Sequence, residues 1–249
     1  MTTIFVSDLH LSKSALEKIE LFESFLDSLD CSLEGLYILG DLFDFWLGDD
    51  DDDVTHQKIV AAIKRATMRG IVVYIMQGNR DFLFREKFRK ETGAILLPDY
   101  QLIELGEQRV LLTHGDLLCS DDKKYQAFRR IVRNAFLQYL FLKIPLKYRK
   151  LMVRKTRRKM KDSVNKKPNN IMDVNHHTVS TLVRDYKADI LIHGHTHKPG
   201  CHFTDDGSIS FTRIVLKDWY DEIEILLRDG PSYTPIPLER YLNEKSETS

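Results

Sequence analysis

Five short apolar runs in this chain each stop at residues able to hold a metal ion. TTIFVSD ends on Asp8, GLYILGD on Asp41 and IVVYIMQGN on Asn79, while RVLLTHGD passes through His114 and ADILIHGHTH carries three histidines. Runs this short and this rich in Val, Ile and Leu predict buried strands. Between them, SALEKIELFESFLDSLD places Leu16, Ile19, Phe22, Phe25, Leu26 and Leu29 on one helical face, and HQKIVAAIKRATMRG is helical as well. Strands alternating with helices predict an α/β sheet. Loops after the strands of such a sheet converge on one edge, so the ligand types at the run ends would meet there.

If ADILIHGHTH continues as a strand, His193, His195 and His197 share one face, with Gly194 and Thr196 opposite. Polar residues are common at strand ends, and Pro199-Gly200 marks a turn. Three imidazoles in five residues are nevertheless hard to satisfy by packing, which favours a metal site. The first run adds His10, two residues after Asp8. Seven oxygen and nitrogen donors without a thiolate suit two hard or borderline divalent ions better than a structural zinc. Cys31, Cys119 and Cys201 are odd in number and widely spaced, which speaks against a disulfide framework and a CxxC cluster.

At 249 residues and 43% hydrophobic content, the chain is sized for one large α/β domain or two small ones. The pattern reads as a single domain over 1–249, with a loosely attached tail at 230–249. Net charge is zero, yet residues 121–170 hold seventeen Lys or Arg against three Asp, a local excess of +14. Strand signal gives way to helices there, so residues 121–168 read as an inserted helical cap, both basic and apolar. Within it, AFLQYLFLKIPLKYRKLMV predicts an apolar groove for acyl chains, with Lys143, Lys147, Arg149 and Lys150 facing diphosphate and anionic headgroups. A helical hairpin packing its own apolar faces accounts for part of that run. GDDDDD at 48–53 reads as a solvated loop. The N-terminus shows no signal-peptide pattern and no run reaches bilayer length, so a cytoplasmic protein is expected.

Taken in order, DxH, GDxxD, GNRD, HGD and GHTH, from Asp8 to His197, resemble the calcineurin-like metallophosphoesterase family. The resemblance implies a four-layer αββα sandwich, here with an inserted helical lid. It also implies a dinuclear site, with Asp8, His10, Asp41 and His197 on one ion and Asp41, Asn79, His114 and His195 on the other. His193 lies outside the family's GHxH block and is expected to support the ligands from behind. Nitrogen donors at three or more positions favour Mn²⁺ over Mg²⁺.

FVSDLHL, LYILGDLFDFWLGDDD, GNRDFL, HGDLLCSDDKKYQAFR, IMDVN and LIHGHTHKP resemble more closely one branch of that family. That branch cleaves UDP-2,3-diacylglucosamine in the lipid A synthesis of Gram-negative bacteria. The resemblance implies attack of metal-activated water on the α-phosphorus, giving UMP and 2,3-diacylglucosamine 1-phosphate. Asn79, Arg80, Asp122, Arg157, Asn165, Lys167 and His195 would meet the substrate. Asn79 would hydrogen-bond the reacting phosphate, and Arg80 would pair with a phosphate or with Asp81. His10 is the candidate proton donor to the leaving group. A lipid substrate and this insert imply peripheral association with the cytoplasmic face of the inner membrane. A phosphoesterase acting on nucleic acid or another phosphodiester would use the same centre, but apolar sequence interleaved with the basic residues argues against a nucleic-acid partner. A catalytically silent, membrane-anchored module would not need all seven ligand positions filled. Cys119 is expected to be structural, because two-metal hydrolysis requires no thiol nucleophile.

Overall fold

The computed structural model describes residues 2–164, 173–205, 207 and 209–247, with side chains for all of these but 156–164. Its first half runs β1 (Thr2–Val6), α1 (Leu16–Ser28), β2 (Leu33–Leu39), α2 (Val54–Met68), β3 (Val73–Met76), α3 (Glu86–Thr92), β4 (Ile95–Leu97), β5 (Tyr100–Leu105) and β6 (Gln108–Thr113). Three helices follow, α4 (Lys123–Val132), α5 (Ala135–Lys143) and α6 (Leu146–Val164), then α7 (His176–Tyr186). The chain ends with β7 (Ile190–His193), β8 (Gly200–Asp205), β9 (Ser210–Val215), β10 (Glu224–Asp229), β11 (Ser232–Pro237) and α8 (Leu238–Glu247).

These strands form two sheets, ordered β11-β10-β1-β2-β3-β4 and β5-β6-β7-β9-β8. The two-residue period of each strand builds the layers. In β1, Ile4 and Val6 face the helix side, where α1 contributes Ile19, Phe22, Phe25 and Leu26. Phe5 faces the other way, into a seam shared with Leu39, Met76, Val110, Leu112 and Ile192. In β6 and β7, Leu111 and Leu191 point outward again, against Val179 and Val183 of α7. Helix, sheet, sheet and helix therefore stack as four layers.

The C-terminal segment is not a loose tail. β11 pairs antiparallel with β10 along its length, and α8 buries Leu238 and Tyr241, the latter 6.1 Å from the Phe25 ring. Its prolines are tolerated because β11 is an edge strand, where a missing N–H leaves no ladder partner unsatisfied.

The acidic run at 48–53 is not a solvated loop either. Asp49 accepts from Trp46 Nε1 (3.2 Å), Arg85 N (3.1 Å) and Phe88 N (2.8 Å). Asp51 is buried 2.9 Å from His56 Nδ1, and Asp53 caps α2 by accepting from Thr55 N at 3.0 Å. Asp50 pairs with Arg149, and Asp52 with Lys150. Five like charges coexist because each meets a hydrogen-bond donor or a cation.

Those pairings reverse the orientation expected for part of the insert. Arg149 is fully buried, donating to Ile144 O (2.8 Å) and to Leu47 O, so neither it nor Lys150 faces a substrate. Arg129 pairs with Asp116 (2.6 Å) and Asp99 (3.0 Å), while Arg133 donates to Gln77 Oε1 (2.9 Å) and Gly78 O (2.9 Å). Arg129, Arg133 and Arg149 turn inward, whereas Lys143 and Lys147 stay exposed beside Phe136, Leu137, Tyr139, Leu140, Tyr148, Leu151 and Met152.

Arg149→Ala is expected to lower the melting temperature by roughly 5–10 °C, because bonds to buried carbonyls and packing worth about 2–4 kcal/mol are lost. Asp50 is 58% exposed, so Asp50→Asn should shift it by less than about 2 °C. Calorimetry reads both, and equal losses would place the anchor in the ion pair instead of the carbonyl bonds.

Candidate metal centre

β1, β2 and β3 are parallel in one sheet, and β6 and β7 are parallel in the other. Their C-terminal ends therefore bring five loops together. Backbone bonds stitch the loops: Asp8 N to Gly40 O (3.1 Å), His10 N to Asp41 O (2.9 Å) and Gly194 N to His114 O (2.9 Å). The backbone is strained here. Asp8, His10, Asp41, His195 and His197 have φ of 55°, 49°, 52°, 67° and 53°, and Lys187 is the one other non-glycine residue with positive φ among the described residues. Such conformations cost on the order of 1 kcal/mol or more each, and they aim the side chains inward.

The glycines of these motifs make room for the ligands. A Cβ on Gly78 would strike Asp41 Oδ1, and one on Gly194 would strike Ser7 Oγ and Asp8 Oδ2. GN and GH are thus steric requirements of the carboxylates beside them.

All seven expected ligands come together. Asp8 Oδ1 lies 3.8 Å from His10 Nε2 and 3.5 Å from His197 Nε2. Asp41 straddles the cluster, Oδ2 lying 3.8 Å from His10 Nδ1 and Oδ1 3.9 Å from His114 Nε2. Asn79 Oδ1 is 3.0 Å from His114 Nε2 and 2.8 Å from His195 Nδ1. Asp8, His10 and His197 form one group compact enough to hold an ion, and Asp8, Asp41 and His114 form another. The outer atoms are already occupied: Asp8 Oδ2 accepts from Ser7 Oγ (2.7 Å) and His195 N (2.8 Å), Asp41 Oδ1 from Arg80 N (2.9 Å), and His114 Nδ1 meets Leu39 O (2.9 Å). Asp8 Oδ1 and both ring nitrogens of His10 are buried without a hydrogen-bond partner. Buried acceptors facing one another in a hard donor set fit divalent cations.

The electrostatics agree. Burial would raise the Asp8 carboxyl, but His197, His114 and His10 hold it well below the usual carboxylate range. Burial, with Asp81 and Asp8 close by, pushes Asp41 up to about 7 despite His114. Burial and the Arg80 charge push the His10 imidazole down to about 2. A neutral imidazole at His10 suits a metal ligand.

The three histidines of HGHTH do not share a strand face. β7 stops at His193, and the positive φ at His195 and His197 turns the chain off the strand. His193 is buried behind the site, between Gly194 O (2.8 Å from Nδ1) and Arg213, which donates to Nε2 at 3.2 Å. Arg80 pairs with Asp44 (2.7 Å) and approaches Asp41 Oδ2 (3.6 Å), not Asp81. Asp81 instead accepts from Gly78 N (2.8 Å) and Phe43 N (3.3 Å), holding two ligand loops together. Asp122 caps α4 by accepting from Tyr125 N at 3.1 Å. Arg157 belongs to α6, its side chain outside the described set, and Asn165 and Lys167 lie outside the described residues. Burial lifts the Cys119 thiol to about 12, as suits a structural residue.

Sequence reasoning passed over Asp116, although the HGD block contains it. Its buried carboxylate accepts from Tyr125 OH (2.7 Å) and Arg129 Nε (2.6 Å), and the Tyr125 ring lies 6.0 Å from that of His195. The turn that presents His114 thereby also holds the first helix of the insert.

Residues 1–199 match the calcineurin-like phosphoesterase family. The chain is similar to the UDP-2,3-diacylglucosamine hydrolase of Haemophilus influenzae, 47% identical over 90% of this chain and 93% of that protein. Proteins of the same name from Vibrio vulnificus (41% identical, covering 94% of this chain and 96% of theirs) and Neisseria meningitidis serogroup A (43%, covering 95% and 98%) are also similar. With the family's motifs seated on the converging strand ends and its pattern matched over residues 1–199, the chain belongs to the calcineurin-like phosphoesterase family.

Proposed function

We propose that the chain hydrolyses the pyrophosphate bond of UDP-2,3-diacylglucosamine, releasing UMP and 2,3-diacylglucosamine 1-phosphate in lipid A synthesis. The observation that carries the substrate is the insert: nine of the sixteen exposed large apolar side chains fall between Phe128 and Met152, among the described residues. A patch of this kind, beside a hydrolytic centre, marks a surface for an apolar ligand. The similarity to the three hydrolases also runs the length of the chain, insert included.

Asp8, His10, Asp41 and His197 would hold one divalent ion and Asp41, Asn79, His114 and His195 a second, with Mn²⁺ suited to the mixed donors. When bound, such ions acidify water and neutralise charge on phosphoryl oxygens. The chain's own residues do the rest. Arg80, oriented by Asp44 and 28% exposed, keeps its charge because Asp41, Tyr220 and Asp44 outweigh its burial, and it is placed to orient a phosphate. The Asn79 amide hydrogen-bonds the reacting group, and His195 binds beside it. Asp122, Arg157, Asn165 and Lys167 are assigned to the uridine and sugar. The outward apolar face of the insert supports peripheral association with the inner membrane, and no helix among the described residues is long and apolar enough to cross one.

Metal-stripped protein given Mn²⁺ is expected to release UMP from UDP-2,3-diacylglucosamine with little turnover of a bis-aryl phosphodiester, and Asp41→Ala should abolish release. Turnover of the soluble ester alone would keep the centre and sink the lipid substrate. Gly78→Ala should lower kcat by about 100-fold, because Asp41 must move by a fraction of an ångström or more. Unchanged kcat would mean the loop relaxes freely. Phe136→Glu, at a side chain 66% exposed, should raise KM for the diacyl substrate by roughly tenfold with kcat and melting temperature retained. The same variant should sediment less with anionic lipid vesicles, and parent-like values in both measurements would remove α5 from the acyl surface.

A further inference from the structure

We infer that the loop at 217–221, beyond the residues matched to the family, completes the metal centre, with Asp218 as the positioning residue for His197. The inference rests on the reading of the seven ligands as a divalent-metal site. His197 lies beyond the end of β7 with φ 53°, and its side chain is 32% exposed, so neither a strand nor close packing fixes which nitrogen carries the proton. Asp218 Oδ2 contacts His197 Nδ1. A carboxylate there accepts the Nδ1 hydrogen and leaves the Nε2 lone pair facing Asp8 Oδ1 at 3.5 Å. Two acceptors aimed at one another are satisfied by a cation between them.

The loop is built to hold that orientation. Trp219 is fully buried, edge-on to Phe22 and Phe25 of α1 at 6.1 and 6.3 Å, and its backbone N–H donates to Asp8 O at 3.3 Å. The residue just before this wedge is thereby fixed against His197. The residue just after it, Tyr220, lies 5.3 Å from the His10 ring and 5.8 Å from the His197 ring, with Lys18 Nζ 4.6 Å from its own centroid. One turn thus orients His197, contacts the Asp8 backbone and limits rotation of His10. Asp218 acts through His197, on the nitrogen turned away from Asp8.

The test titrates metal-stripped full-length protein, D218A and D218N with Mn²⁺ by calorimetry, with melting temperatures of the metal-free forms alongside. D218A is expected to bind Mn²⁺ roughly 10–100-fold more weakly, while its metal-free melting temperature stays within about 2 °C of the parent. D218N keeps one acceptor oxygen and should recover most of the affinity. Parent-like affinity in D218A would overturn the inference and leave the seven-ligand reading standing, whereas failure of the parent protein to bind Mn²⁺ would overturn both. An affinity loss that D218N shares in full, accompanied by a fall in metal-free stability, would make Asp218 a structural residue and likewise overturn the inference.

Discussion

Two carboxylates, Asp8 and Asp41, are buried within reach of one another at the meeting of two sheets, and the surrounding architecture answers to that crowding. Like charges in a low-dielectric interior repel strongly unless cations or hydrogen-bond donors compensate. The protein compensates on the outer side with Ser7 Oγ and the backbone N–H groups of His195 and Arg80. Histidines and Asn79 surround the inner side, which is where divalent ions fit. Glycine at 78 and 194 and left-handed backbone at five candidate ligands follow from the same demand, since ordinary strand geometry cannot bring these carboxylates so close.

This dependence explains which parts of the molecule were legible in sequence. Strand runs and the candidate ligands at their ends were readable because both are local: the strand period fixes which residues face the seam, and the motif residues lie one to four positions past each strand. His193, His195 and His197 mark where local reasoning stops, because the strand ends after the first of them and φ changes sign at the other two. A backbone in the left-handed region leaves no trace in a hydrophobic pattern. Partners from distant segments are equally silent, so Asp44 as the companion of Arg80 and Asp116 as the anchor of α4 emerged only from the fold, although their motifs were in view.

The acidic run was misread for a related reason. Composition records that 121–170 is basic and 48–53 acidic, but not that the two face each other. Taken separately, the acidic run suggests a solvated loop and the basic run a surface for anions. Taken together, Arg149 with Asp50 and Lys150 with Asp52 form a clamp. Its geometry turns Arg149 and Lys150 of α6 toward the acidic run, while α5 packs Phe141 and Leu142 on the core and leaves Phe136, Leu137, Tyr139 and Leu140 exposed. The tail was misread because its prolines suggest irregular chain, whereas an edge strand accepts them.

The insert and the candidate metal centre consequently share parts. Arg133, on the loop after α4, donates to the carbonyl of Gly78, the residue before the candidate ligand Asn79. Arg129 and Tyr125 hold Asp116, two residues after the candidate ligand His114. The insert is therefore bonded to two ligand loops directly, and its docking and their geometry are mutually dependent. An insert joined only by its chain ends could shift without disturbing the centre. Here a displacement of α4 must break a buried carboxylate–guanidinium pair or carry the His114 turn with it, and breaking a buried pair costs on the order of 3–5 kcal/mol. The apolar surface is thereby held at a fixed place relative to the ligands. For the proposed substrate, whose acyl chains and pyrophosphate are covalently joined, that fixed spacing would align the bond to be cleaved once the chains were bound.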